Sequence, residues 1–436
     1  MTAAQAPPQQ ESTRPPEPIS APPATVSARL RSSGSHLGPL PVINLVVLEV
    51  GLALGLALGS FDAGMRVPAL ILLLITVTVA LGRWHGQWLV RWVQLGIRYL
   101  VRSHGRSVSS PDPAAPAGTS TSQPADPRLT MLRLLLPDLT IARCADRQRE
   151  PLGLAWHQGT WTAVLEVDAG VSMITPVGSA AGLPLGALAS CLEDRGVTLD
   201  AIRVIWHCYP SSAALPSSSP ALRSYLEVLG PLPAAARRTT WIAVRLDPRR
   251  CPAAVAERGG GVTGCHRALI GALSRVRATL ESQGVPTRPL DADQLLRAGI
   301  SAAELSAAAG TGQPVALGEG WRVVTAAGIG HASYAITGWG VTGAVHNLNA
   351  VTGVRALSTT LALSISPGPP DEFTGAGAGE VGLRGLIRLS ARNPAELESA
   401  DGHLRTVAQR LGVALSPLGG LQAAGLAATL PLGAPG

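Results

Sequence analysis

Apolar residues are distributed along this chain in two unlike ways. Near the N-terminus they run together, as PVINLVVLEVGLALGLALGS from Pro41 to Ser60 and VPALILLLITVTVAL from Val67 to Leu81, parted by the turn FDAGMR. Beyond residue 129 they alternate with polar residues or recur at helical spacing. The first run has about the 20 residues that a helix needs to cross a bilayer. The second is short: at about 1.5 Å per residue it covers roughly 22 Å of a hydrocarbon core about 30 Å thick. This predicts a helix that continues into RWHGQWLVRWVQLGIRYLVR, residues 83–102. There Trp84, Trp88, Trp92, Leu95 and Tyr99 fall within about 80° of a helical wheel. Arg91, Arg98 and Arg102 edge this stripe, and Leu89, Val93, Ile97 and Leu100 make a second apolar face. Arg83, Trp84, Trp88, Arg91, Trp92, Arg98, Tyr99 and Arg102 are expected at the membrane interface, with the second face against a protein partner. Asn44 and Glu49 interrupt the first run. A carboxylate at membrane depth costs a few kcal/mol, so Glu49 is expected to face a protein neighbour or a wet cavity, the alternative being a tilt toward the headgroups.

The later pattern reads as strands and helices in a repeated order. Strands fall at 161–167, 201–209 and 239–247, helices at 183–196 and 266–284, and a short strand at 285–290. The second half gives a strand at 331–339, a short helix at 345–353, strands at 356–366 and 382–391, a helix at 394–412 and a strand at 413–418. Asn393 and Pro394 start that last helix and Gly412 closes it. Both halves end alike, in PLDADQLLRAGI and PLGGLQAAGL, each with Gln five residues after Pro. The expected fold class is α+β: two N-terminal transmembrane helices, then a cytosolic domain of two tandem ferredoxin-like βαββαβ units. The expected boundaries are a disordered tail at 1–38, a membrane hairpin at 39–82, a juxtamembrane helix at 83–102, a flexible linker at 103–128, and α/β units at 129–310 and 311–436.

Composition removes several chemistries. All 35 basic residues are arginine, so no P-loop lysine and no Schiff-base amine is available. The five cysteines have no CxxC spacing, which argues against a zinc ribbon or a disulfide framework. His207-Cys208 and Cys265-His266 are candidate metal ligands, but neighbours on a strand point to opposite faces. RGGGVTG at 258–264 lacks the context of a phosphate loop. Glu193-Asp194 and Asp371-Glu372 read as solvated charges. No catalytic residue, cofactor or metal is expected. The net charge of +7 comes from arginines spread along the chain, but several flank the apolar runs: Arg29 and Arg31 before them, Arg83, Arg91, Arg98, Arg102 and Arg106 after, and Arg66 between. This is the positive-inside pattern of a hairpin with both ends in the cytoplasm, and no nucleic-acid partner is expected.

The two apolar runs, GLAWHQGTWTAVLEV, VRLDPRRCPAAVAERGGG and the tail from GLIRLSARNPAELESADGHLRTVAQRLG onward together resemble the EccE family, a membrane component of type VII (ESX) secretion systems in actinobacteria. The resemblance implies a non-enzymatic subunit of the cell-membrane translocon, assembled with EccB, EccC and EccD, in which EccC is the ATPase. The alternatives are a membrane-surface transferase-like enzyme with a degenerate or cryptic site, and a membrane-tethered nucleic-acid binder.

Overall fold

The computed structural model describes residues 36–37, 40–61, 63–84, 87–108, 126–168, 183–209, 237–311, 315–339, 348–368 and 381–433. The expected disordered tail, apart from residues 36 and 37, the linker from 109 to 125 and the pair Asp371-Glu372 lie outside the described residues.

The two apolar runs form an antiparallel helical hairpin, α1 (Val42–Phe61) and α2 (Arg66–Leu81). Of these, α1 is long and apolar enough to cross a membrane, and little of it is buried within the protein. Small residues let the pair close up. A methyl group at Gly51 would stand 2.1 Å from the Thr76 side chain, and Gly55 faces Leu73 and the Ala69 carbonyl. The Asn44 amide donates to the Ala80 carbonyl at 2.8 Å, so the first polar interruption closes the open end of the hairpin.

The continuous helix expected through residue 102 is broken. Gly82 turns extended, with ψ of 143°, and a β-carbon there would lie 2.3 Å from the Thr78 carbonyl and 2.4 Å from Leu89. Only glycine fits the corner. Arg83–Trp84 then pairs with Gln87–Trp88, and a separate helix, α3 (Leu89–Val101), begins. The expected linker also starts later than its composition suggests, because Gly105–Val108 is a strand, β1, of the main sheet.

That sheet is entirely antiparallel. Its remaining strands are β2 (Thr140–Ala145), β3 (Pro151–His157), β4 (Thr160–Val167), β5 (Ala201–Tyr209), β6 (Arg237–Leu246), β7 (Thr287–Pro289), β8 (Val315–Glu319), β9 (Val324–Ala326), β10 (Ile329–Gly338), β11 (Ser358–Pro367), β12 (Val381–Ala391) and β13 (Ala414–Pro417). The order is β1-β8-β9-β10-β12-β11-β5-β6-β4-β3-β2, with β7 also on β4 and β13 also on β10. The strands of the two expected halves therefore meet edge to edge at β5 and β11, where Ile202 faces Ile365 and Cys208 faces Thr359.

Helices cover both faces. On one lie α5 (Gly261–Ser282) and α7 (Pro394–Arg410), whose Leu269, Leu273, Val276, Leu397 and Leu404 pack on Ile202, Val244, Leu363 and Leu389. On the other lie α4 (Pro127–Leu135), α6 (Ala292–Ala302) and α8 (Gln422–Ala428), joined by Leu430 and Leu432. Gly299 of α6 is where this layer closes, its α-carbon near Leu132 of α4 and Leu432. The repeated Pro-x₄-Gln spacing now has a structural meaning. Pro289 and Pro417 end β7 and β13, while Gln294 and Gln422 sit in the first turns of α6 and α8. Two expected helices shrink: 183–196 holds only the short helix Leu185–Ala189, and 345–353 holds the 3₁₀ turn Leu348–Gly353.

Candidate functional site

Two places concentrate the polar and aromatic groups. The first is the junction of the hairpin with the α/β domain. Trp92 and Tyr99 lie one turn pair apart on α3, and both turn inward onto Trp321, in the turn between β8 and β9. The ring centroids are 6.1 Å apart for Trp92 and 5.2 Å for Tyr99, the latter edge to face at 89°. Tyr99 also packs on His104 at 4.1 Å and donates its hydroxyl to the Glu319 carbonyl at 3.3 Å. The far side of Trp321 rests on Gly419 and Gly420. Gly420 has φ of +70°, and a β-carbon there would come within 2.7 Å of the ring. Glu319 ties the junction together. Its carboxylate accepts from the Ala423 N–H at 2.9 Å at the start of α8 and stands 3.7 Å from the Arg102 guanidinium, while its own N–H donates to the His104 carbonyl at 2.7 Å.

The residues expected at the membrane interface are therefore not on one surface. Trp92 and Tyr99 face the chain's own domain, Arg91, Arg98 and Arg102 are exposed, Trp88 is half-buried with the Arg83 guanidinium 4.1 Å from its ring, and the side chain of Trp84 lies outside the description. On the other apolar face Leu89 is half-buried beside Gly82, whereas Val93, Ile97 and Leu100 are 46%, 57% and 79% exposed. Asn44 is buried in the hairpin, and Glu49 is exposed on its outside.

The second place is the face of the sheet beneath α6 and α8, where charged side chains are buried at the junction of the two halves. The Glu304 carboxylate, just past α6, accepts from the Ser358 hydroxyl at 2.5 Å and from the Tyr209 hydroxyl at 3.1 Å, and His207 Nε2 stands 3.5 Å away. His207 Nδ1 is 2.9 Å from the Thr360 hydroxyl, which also accepts from Arg388 at 2.8 Å. Arg388 donates in addition to the Ala302 carbonyl. His331 bonds Ser390 at 2.9 Å, and Arg203 donates to the Ala428 carbonyl at 2.6 Å. Burial pushes the Arg388 pKa down to about 10 and that of Arg203 to about 9. Burial raises the Glu304 carboxyl, and burial with the nearby Arg388 and His207 holds His331 far below the usual imidazole range. The arrangement cross-links strands β5, β10, β11 and β12 to the end of α6. The Glu304 carboxylate and the Thr360 hydroxyl are each bonded by two neighbours, which suits holding elements together better than transferring a group.

Sequence reasoning missed this cluster and the Trp321 junction. Its partners are far apart in the chain, but one signal was present: Arg203 and His207 in AIRVIWHCY, and Arg388 and Ser390 in GLIRLSA, recur at period two inside otherwise apolar strands. The candidate metal ligands are split as the strand geometry requires. His207 faces α6 and Cys208 packs among the buried residues near Thr352, while His266 is 3.4 Å from Cys144. Among the described residues no group of three or more metal-ligating side chains comes together.

Comparison with known proteins gives these features a family. Residues 234–336, from β6 through α5 and α6 to β10, match the family model "Putative type VII ESX secretion system translocon, EccE". The chain is 29% identical over 162 residues to the ESX-5 secretion system protein EccE5 of Mycobacterium marinum, covering 34% of this chain and 38% of that protein. It is 41% identical over 64 residues to the ESX-1 secretion system protein EccE1 of Mycolicibacterium smegmatis, covering 15% of this chain and 14% of that one. EccE1 of Mycobacterium tuberculosis matches at the same identity over 61 residues, 13% of its length. The matched stretches thus span well under half of these curated relatives. Over these stretches the chain is similar to the EccE family of type VII ESX secretion translocon components.

Proposed function

We propose that this chain is a non-enzymatic structural subunit of the type VII (ESX) inner-membrane complex, held in the cell membrane by the α1–α2 hairpin. Both ends of the hairpin are cytoplasmic, and the α/β domain offers surfaces to the EccB, EccC and EccD components. The observation that carries this reading is the junction at Trp321. A tethered enzyme needs only a flexible leash, whereas here α3, β1 and the Trp321 turn fix the domain directly beneath the hairpin. The arginine asymmetry around the apolar runs supports the orientation. The α2 helix is 16 residues long, about 24 Å at 1.5 Å per residue, so this reading has the bilayer thin locally or the Arg83–Trp88 corner enter the headgroup layer.

The same reading extends to the architecture. The orders β7-β4-β6-β5 and β13-β10-β12-β11 repeat, each with its long helix, α5 or α7, before the last strand. This supports two tandem split β-α-β units joined through β5 and β11.

Tagged protein purified in mild detergent from native membranes tests the function. Recovery of EccB, EccC and EccD at a constant ratio is the expected result. Recovery of the chain alone, or with a tightly bound nucleotide or metal, would overturn the scaffold reading in favour of a membrane-surface enzyme.

A further inference from the structure

The α3 helix has three sectors, and two of them are accounted for. Its aromatic side, Trp92 and Tyr99, is taken by Trp321. Arg91 and Arg98 are exposed along a second line about 90° away on the helix. The third sector, Val93, Ile97, Leu100 and Val101, is 46%, 57%, 79% and 83% exposed, left open by the described residues beyond the buried Val90 at its start. Such a ridge of large aliphatic side chains on water is unfavourable by about 25 cal/mol for each Å² left uncovered.

We infer that this aliphatic ridge lies in the cytoplasmic-side leaflet of an anionic bilayer, with Arg91 and Arg98 on headgroup phosphates, so that α3 is a membrane-surface helix whose aromatic side grips the protein. Three observations select lipid as the occupant. Only seven residues, across the Gly82 corner, separate the end of α2 from the start of α3, so the ridge continues the exposed apolar surface of the hairpin. The arginines stand on the border of the apolar sector, where long basic side chains extend to phosphates while their stems stay in contact with lipid tails. Arg83 and Arg102, both exposed, mark the two ends of the same segment with positive charge. The expected assignment of the two faces is thereby exchanged: the aromatic side meets protein and the aliphatic side meets membrane. The inference rests on the hairpin being embedded in the bilayer.

The test uses the full chain in lipid nanodiscs, in a Cys144→Ser background because the other four cysteines are buried. An environment-sensitive fluorophore is placed through Leu100→Cys, Leu54→Cys or Arg405→Cys, and quenching by nitroxide-labelled lipid is measured in discs with and without phosphatidylglycerol. Labels at 54 and 100 are expected to be quenched several-fold more than the label at 405, on the exposed side of α7. The quenching at 100, but not at 54, should drop when Arg91 and Arg98 are both changed to Glu. Quenching at 54 without quenching at 100 would overturn the inference and leave the hairpin standing. Quenching at neither position would remove the hairpin reading and this inference with it. Quenching at 100 that ignores both lipid charge and the arginine changes would overturn the anionic part of the assignment.

Discussion

The two faces of the sheet are built on opposite principles. Beneath α5 and α7 the contacts are almost wholly aliphatic, with Leu269, Leu363, Leu389 and Leu404 packed against one another. Beneath α6 and α8 the same strands turn Arg203, His207, His331 and Arg388 inward, all of them buried. The difference teaches where the fold needs specificity. Apolar contacts are non-directional and tolerate small shifts in register, but a bond between Arg388 and Thr360, or between Ser358 and Glu304, forms in one register only. The polar groups sit where the two halves of the sheet meet, and that is the place where a slip by one residue would turn every side chain over.

Breaking one group on each face exposes this contrast. Arg388→Ala removes the positive charge that offsets the buried Glu304 carboxylate, together with the bonds to Thr360 and the Ala302 carbonyl, and should cost about 3–5 kcal/mol, read as a lowered midpoint in chemical denaturation of the detergent-solubilised chain. Replacing both partners, Arg388→Met with Glu304→Gln, should recover most of that loss. No equivalent rescue exists for Leu363→Ala on the dry face, which leaves a cavity and should cost about 2–5 kcal/mol. If the double replacement is as damaging as Arg388→Ala, the polar face is not held by complementary charge.

The repeated glutamines sharpen the comparison within one face. Gln422 is buried, and its side-chain oxygen accepts the Ser333 N–H at 2.8 Å. Gln422→Ala should therefore cost about 1–3 kcal/mol by leaving that N–H unpaired. Gln294 completes a capping box with Asp291 at the start of α6, and Gln294→Ala should cost under about 1 kcal/mol. Equal effects would deny the two positions different roles.

Acidity separates the faces more gently. His331 is held neutral in the fold, far below its ordinary pKa of 6.5. As pH drops below that value the unfolded chain binds a proton that the folded chain refuses, so stability falls by about 1.4 kcal/mol per pH unit for each such group until the folded pKa is reached. Glu304 acts in the opposite sense, because its raised pKa makes ionisation costly and protonation relieves that cost as the pH falls further. Denaturation midpoints should decline from pH 6.5 to 5.5, and His331→Gln should flatten that decline. An unchanged slope would place the sensitivity in His157 or His266, whose pKa values are also lowered by burial.

Much of this architecture could be read from residue order, for identifiable reasons. The helices α5 and α7 were legible because their apolar residues recur every three or four positions over many turns, and Asn393 caps the second with its side chain on the Glu396 N–H at 2.8 Å. Strands β5, β6, β10, β11 and β12 were legible from dense β-branched and aromatic content. The pair β2 and β3 was not, since TIARCA and PLGLAWH mix small residues, arginine and proline without clear alternation. Residues of α8 are mostly alanine and glycine, which give a wheel little contrast. The N-terminal apolar region was legible as composition but not as geometry. Two apolar faces on α3 were visible, yet which one meets protein depends on Trp321, more than 200 residues away. The buried charge cluster shares that difficulty, for its contacts join positions such as Glu304 and Ser358 that only the folded sheet brings together.

One close contact also sets an order of events. Leu430 and Leu432 are fully buried beneath α6, and Leu432 fills the space that Gly299 leaves open beside Leu132. Residues synthesised last among those described thus complete a layer begun at residue 127. While the chain is still being made, α4 and α6 present an uncovered leucine surface for the whole time that the second half is being translated. On the proposed anchoring the hairpin will by then have left the ribosome, so this half-built face waits next to the bilayer, where a chaperone or a neighbouring subunit has its longest opportunity to bind it.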